Sequence, residues 1–151
     1  MEGFLGTSAP FWSDFNLIAQ ITMGAALVVG MFLARSGHIR SHSVVQSAVL
    51  FLNLPLITIV MIPSFQTYVY TGLPSQLHQS FYLLPTLMAV AGTAAEALGI
   101  YIILVAGSHW IPEGLRFTRY KPWMRTELVL WWSVILLGLA TYYVWYVMPA
   151  A

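Results

Sequence analysis

Cysteine is absent from this 151-residue sequence, and charged residues make up only 7% of it. Without cysteine there are no disulfides, thiolate zinc sites, iron–sulfur clusters or cysteine nucleophiles. Soluble domains carry roughly 25% charged residues, so this chain has too few to coat a water-facing surface. That excludes a soluble enzyme, and the apolar content excludes a disordered chain. A net charge of +1 gives no reason to expect nucleic acid or an acidic partner. Also missing are a glycine-rich phosphate loop and a Ser-His-acid set. What is abundant is apolar surface: 59% of the residues are hydrophobic and mean hydropathy is +0.77. The sequence reads as an integral membrane protein.

Four apolar runs are long enough to cross a hydrocarbon core, which needs ~20 helical residues: about 16–34, 44–62, 81–106 and 127–148. They lack the two-residue alternation of lipid-facing strands, so helices are expected. The fold class is all-α, a single transmembrane domain built as a four-helix bundle. Local chemistry marks the ends. Asp14 is placed to cap the first helix, and Ser43 with Gln46 reads as a capping box opening the second. Ser80 and Thr126 stand as caps for the third and fourth, while Pro63 and Pro149 close the second and fourth. Pro85 predicts a kinked or late-starting third helix.

All six basic residues fall in two places: Arg35 and Arg40 after the first run, and Arg116, Arg119, Lys121 and Arg125 after the third. Basic loops stay on the cytoplasmic side. Both termini are therefore expected on the outer side of a bacterial inner membrane, in a multi-pass protein. An acidic start and a long first run argue against a signal peptide. Phe11, Trp12 and Phe15, with Tyr142, Tyr143, Trp145 and Tyr146, read as an outer aromatic belt, and Trp131 and Trp132 as an inner one. The alternation of charge and ring from Arg116 to Lys121 suits anionic headgroups, or a cytoplasmic partner.

Polar residues inside the runs are candidates for function. Glu96 is the one acid that reads as deep in a span, among small residues from Gly92 to Gly99 that permit close helix contact. It is a helix-locking carboxyl, a proton relay, or a partner for a quinone or a haem propionate. His42, Gln46 and Asn53 share a helix face if the second helix starts early enough. Asn53 also sits beside Pro55, which frees a backbone carbonyl, so local backbone repair accounts for it. Asn16 and Gln20 form a shorter stripe suited to helix–helix hydrogen bonding.

Of the histidines, His38, His42 and His109 fall on the cytoplasmic side and His78 in the outer loop. His38 and His42 have i,i+4 spacing, which with His109 would offer zinc or copper three ligands, but Gly37 places His38 ahead of the helix. Haem b between helices suits the setting better. His42 is its best-placed axial ligand, with His109 or Met88 as the second. No two histidines within the spans face each other.

The segments Ser36–His42 and Arg116–Glu127, with Trp131, Trp132, Gly138 and Thr141–Tyr146, resemble a family of small four-helix bacterial membrane proteins of largely unknown function. The resemblance runs from about Asn16 to Met148, and one branch, the CtaM type, acts in assembling haem–copper terminal oxidases. The family's Arg-x-His element corresponds to Arg40 and His42. Relatives often carry a further histidine in the third span; here that stretch reads Leu87-Met88-Ala89, with Met88 the nearest ligand. The resemblance implies no catalytic activity.

Together these features point to a non-catalytic accessory subunit or assembly factor of a respiratory or photosynthetic electron-transfer complex. Its partners would be lipids and other integral membrane subunits, met through Gly92, Gly99 and the basic residues. The alternative is a haem-b electron carrier using His42, with Glu96 tuning the cofactor. The third is a small proton-coupled transporter using Glu96, although no inverted repeat is visible.

Overall fold

The computed structural model describes residues 3–109 and 111–148. It contains four helical spans long and apolar enough to cross a membrane, and no strand among the described residues. The first is α1, Phe11–Arg35. The second is continuous from Ile39 to Gly72, and comprises α2 (Ile39–Leu56), a π turn (Ile57–Met61), α3 (Ile62–Tyr68) and a short 3-10 turn. The third is α4, Ser80–Gly107, and the fourth is α5, Tyr120–Tyr142, finished by a π turn over Tyr143–Val147. Gly37, at φ +81°, makes the left-handed turn that folds α2 back on α1.

The expected spans are all present, but the helices run past the apolar runs. Spans one, two and four begin at Phe11, Ile39 and Tyr120 rather than near 16, 44 and 127. Three capping assignments fail as a result. Asp14, Ser43 and Thr126 lie inside helices, and the Ser43 hydroxyl donates to the Arg40 carbonyl rather than to a helix N–H. Ser80 does open α4, but makes no side-chain cap. Pro63 closes nothing, because it stands in the first turn of α3, where its missing N–H costs little. Pro85 is accommodated in the first turns of α4, and Pro149 lies outside the described residues.

Pro55 has the larger effect. It stands inside α2 and withholds an N–H from the ladder, which resumes as the π turn. The Thr58 hydroxyl donates to the carbonyls of Leu54 (3.0 Å) and Pro55 (3.2 Å), the usual back-bond of a helical threonine, and the Asn53 amide bonds to the facing helices rather than to the carbonyl that Pro55 frees. Asn53 is left for the bundle interior.

The helices pack as two antiparallel hairpins, α1 with α2 and α4 with α5, joined mainly through α1 and α5. All four spans contribute to one core of Met23, Leu27, Val49, Ala95, Trp131 and Val134. The termini lie at one end of the bundle, here the terminal end, and the arginine-bearing turns at the other, the basic end. Trp131 is 3% exposed and belongs to the core, not to an interfacial belt.

Candidate functional site

Three of the five acidic residues are buried inside the bundle, and each sits at a different depth. Asp14, near the start of α1, is fully enclosed. Its Oδ2 accepts the N–H groups of Phe4 (2.7 Å) and Leu5 (2.8 Å), and its Oδ1 accepts the Tyr142 hydroxyl (2.6 Å). Because Tyr142 donates to Asp14, it accepts in turn from the Thr7 hydroxyl at 2.6 Å. Ser8 adds a bond to the Tyr146 carbonyl, and Ser13 one to its hydroxyl. The N-terminal strap from Gly3 to Ala9 is thereby tied to α1 and α5.

Mid-bundle, a hydrogen-bonded row crosses three spans. Gln20 Nε2 of α1 donates to Asn53 Oδ1 of α2 at 2.7 Å, and Asn53 Nδ2 donates to Glu96 Oε2 of α4 at 3.0 Å. The early start of α2 and the i,i+4,i+11 spacing put His42, Gln46 and Asn53 on the α1-facing side. Glu96 Oε1 has no hydrogen-bond partner. An unpaired oxygen this deep carries an unpaid desolvation cost, and the protein supplies nothing to offset it.

One turn toward the basic end is a second carboxyl that the sequence reading placed at a span boundary. Glu127 of α5 is 1% exposed, two turns into its helix, so Glu96 is not the only buried mid-bundle acid. Trp131 Nε1 donates to Glu127 Oε1 at 2.8 Å, while Oε2 is without a partner. Gly99 makes room for it: a Cβ there would lie 2.7 Å from Glu127 Oε1 and collide with Leu50. Glu96 and Gly99 are i,i+3 on α4, so Glu127 meets α4 one turn from Glu96. Gly92 is less constrained, since a Cβ there would meet Val134 at an ordinary 3.7 Å.

Toward the terminal end from this row the helices separate around a cavity of about 650 Å³. Its walls include Leu17, Ile57, Met61, Met88 and Val134, and its polar groups include Asn16, Gln20, Asn53 and Glu96. Asn16 Oδ1 is also buried without a partner. The π turn after Pro55 bulges the second span at this level, where it faces α4 across the space.

The histidines and the basic residues are elsewhere. His42 is 7% exposed, with Nδ1 2.9 Å from the Gly30 carbonyl of α1. A carbonyl only accepts, so Nδ1 carries the proton, and the tautomer is fixed with Nε2 left over. Met88 cannot join it on one iron. Measured from the Asn53–Glu96 bond, Met88 lies toward the terminal end and His42 toward the basic end, roughly 28 Å apart along the axis at 1.5 Å per residue. His109 is at the right end, but it is exposed and lies past the end of α4, as His38 lies before the start of α2. Among the described residues no group of three metal-binding side chains is present.

Arg116 is half-buried and its Nη2 donates to the Val105 carbonyl at 2.8 Å, satisfying the end of α4. Arg119, Lys121 and Arg125 are exposed around a ring cluster in which Phe117 packs on Tyr101, Tyr120 and Trp123. Sequence reasoning missed Glu127 and the strap-holding role of Asp14. The available signal was that both acids lie within one helix extension of an apolar run. No family model, curated protein or solved structure matches this chain.

Proposed function

We propose that this protein is a non-catalytic membrane subunit or assembly factor that packs laterally against other membrane helices of a respiratory or photosynthetic electron-transfer complex, as its resemblance to CtaM-type proteins implies. The supporting observation is how little of each span the chain covers by itself. Within an apolar 18-residue stretch of each span, only 22–28% of the residues are buried in the bundle. On α4, Val90, Thr93, Ala94 and Ala97 form an exposed face of mostly small side chains, the kind that lets a neighbouring helix approach closely. Arg35, Arg40, Arg119, Lys121 and Arg125 then hold the basic end in the cytoplasm of a bacterial inner membrane, with both termini outside. The test is purification of the tagged protein in mild detergent, with identification of stoichiometric partners. It is paired with the haem spectrum of membranes from a deletion strain. Co-purifying oxidase or photosynthetic subunits and a reduced haem signal are expected. A solitary protein whose deletion leaves the complexes intact would overturn the reading.

A second reading is favoured by one observation, the buried His42 with its tautomer set by the Gly30 carbonyl. Metal-bound histidines are oriented in this way by a second-shell acceptor. Under this reading His42 Nε2 would hold a haem b iron, which supplies one-electron chemistry when bound. Among the described residues no second histidine is buried near it. A reduced-minus-oxidised spectrum of the purified protein decides the matter: a stoichiometric b-type signal lost in His42→Ala supports the carrier, and no signal refutes it.

A further inference from the structure

A second cleft lies at the terminal end, between the N-terminal strap and the ends of the second, third and fourth spans. Its volume, about 840 Å³, is in the range of small-molecule sites, ~300–1,000 Å³. Four rings from three spans line it: Tyr68 of α3, Phe81 of α4, and Trp145 and Tyr146 of the last π turn. Strap residues form the opposite wall. Gly6, Ser8 and Tyr68 line the cleft and are also exposed, so it is open at the surface.

The rings are set edge to face. Trp145 meets Tyr68 at 66° with centroids 5.6 Å apart, and Tyr146 at 85° with centroids 6.0 Å apart. In the corner of such a pair a guest meets both ring faces, within the ~6 Å at which the ring quadrupole attracts a cation. Charge points the same way. Asp14 lies directly behind the strap wall, since a Cβ on Gly3, which lines the cleft, would collide with Asp14 Oδ2. That carboxylate accepts three hydrogen bonds but meets no cation, because all six lysines and arginines stand at the basic end. The polar side chains around the cleft are already paired. Thr7 bonds to Tyr142, Ser8 donates to the Tyr146 carbonyl, and the Tyr146 hydroxyl is bonded to Ser13. Trp145 Nε1 donates to the Phe81 carbonyl at 3.1 Å.

We propose that this cleft binds a quaternary ammonium, the trimethylammonium end of choline. Such a group brings a positive charge and an apolar methyl surface, and has no N–H to satisfy. Ring faces beside a buried carboxylate supply what it needs. A primary ammonium fits less well, because it carries three donors out of water and the side chains here are already engaged. An anion meets the Asp14 charge with no cation to offset it. A neutral apolar group packs on the rings but gains nothing from the charge. Free choline and the headgroup of a choline phospholipid present the same end to the cleft, and the test tells them apart.

The test uses the full chain in phosphatidylglycerol nanodiscs, which supply no ammonium headgroup, with protein-free discs as the blank. Binding is read by ligand-detected NMR for choline, ethanolamine and neohexyl alcohol, the last being the uncharged carbon analogue of choline. Choline is expected to bind saturably and about tenfold more tightly than either analogue. Tyr68 is 49% exposed, so its replacement leaves the bundle packed. Tyr68→Leu removes a ring face and is expected to weaken choline roughly threefold, while Tyr68→Phe keeps the face and the affinity. Repeating the titration in phosphatidylcholine nanodiscs separates the two sources. Loss of choline binding there assigns the site to the lipid headgroup, and unchanged binding assigns it to the soluble cation. Either analogue binding as tightly as choline, full affinity in Tyr68→Leu, or an equal loss in Tyr68→Phe would overturn the assignment. None of these outcomes depends on whether the protein joins a larger complex.

Discussion

Asp14 and the Glu96–Glu127 pair are all carboxyls enclosed by the same bundle, yet they are served very differently. Asp14 has both oxygens engaged, by two backbone N–H groups and a tyrosine hydroxyl. Glu96 and Glu127 each have one oxygen engaged and one bare. A saturated buried carboxylate organises the protein around itself, and removing it strands the donors it gathered. A half-served one holds its helix in place with one oxygen and leaves the other for something the chain does not provide. The contrast separates a fully bonded acid at the terminal end from half-bonded acids mid-bundle. Stability should therefore track Asp14 far more closely than Glu96.

The largest loss is expected for Asp14→Ala. Three hydrogen bonds disappear, two of them from the strap, and Tyr142 loses its acceptor. A destabilisation of about 3 kcal/mol is expected, since each bond to a charged group is worth ~1.5–3 kcal/mol and the strap amides can recover water. The thermal midpoint in detergent measures it, and faster proteolysis near residues 3–9 would accompany it. A melting curve matching wild type would mean the terminal end is not organised by this residue. Next is Gly99→Val, which drives a side chain into Leu50 and the Glu127 carboxyl. Overpacking costs ~1–3 kcal/mol, and the same change at Gly92 should cost distinctly less. Equal effects at the two glycines would show that α4 and α5 do not close on Glu127 as described.

How much of this was visible in the sequence differs between the two regions. Four spans, their helical character and the burial of Glu96 follow from apolar length and from one acid in the middle of a run. Glu127 did not, because Lys121, Arg125 and Thr126 just before it look like the edge of a membrane segment. The helix nevertheless starts at Tyr120, since its backbone hydrogen bonding continues beyond the apolar stretch. Asp14 was hidden by the same effect: a charge near a helix start suits a cap, and only tertiary structure brings residues 4 and 5 back onto it. Asn53 shows a different limit. Spacing identified the face it shares with His42, but not that the facing helices would present Gln20 and Glu96 to it. Pro55 offered a nearer explanation, but both ends of the Asn53 amide bond across helices. Residues that bond along their own helix can be read locally, whereas residues that bond across helices need the register of two elements.

Trp131→Phe tests whether Glu127 is anchored or merely enclosed. The ring stays in the core, but Glu127 Oε1 loses its donor, leaving both oxygens of a 1% exposed carboxyl unpaired. A loss of about 1–2 kcal/mol is expected, and Glu127→Gln in the same background should restore part of it by removing the ionisable group. Additive effects in that double-mutant cycle would mean the two side chains do not act together.

Glu96→Gln is the smallest stability change of the set and the most informative. The amide oxygen can still accept from Asn53, the row from Gln20 to α4 is kept, and the bare oxygen is replaced by an N–H₂. The expected shift is within about 1 kcal/mol, against about 3 kcal/mol at Asp14. A collapse of the fold in Glu96→Gln would put both carboxyls in the same architectural class and remove the basis for treating the free oxygen as available. Near-wild-type melting would separate the two regions by experiment as cleanly as their hydrogen bonds separate them in the structure. Stability would then track the acid whose valences are all used rather than the one with a valence left over.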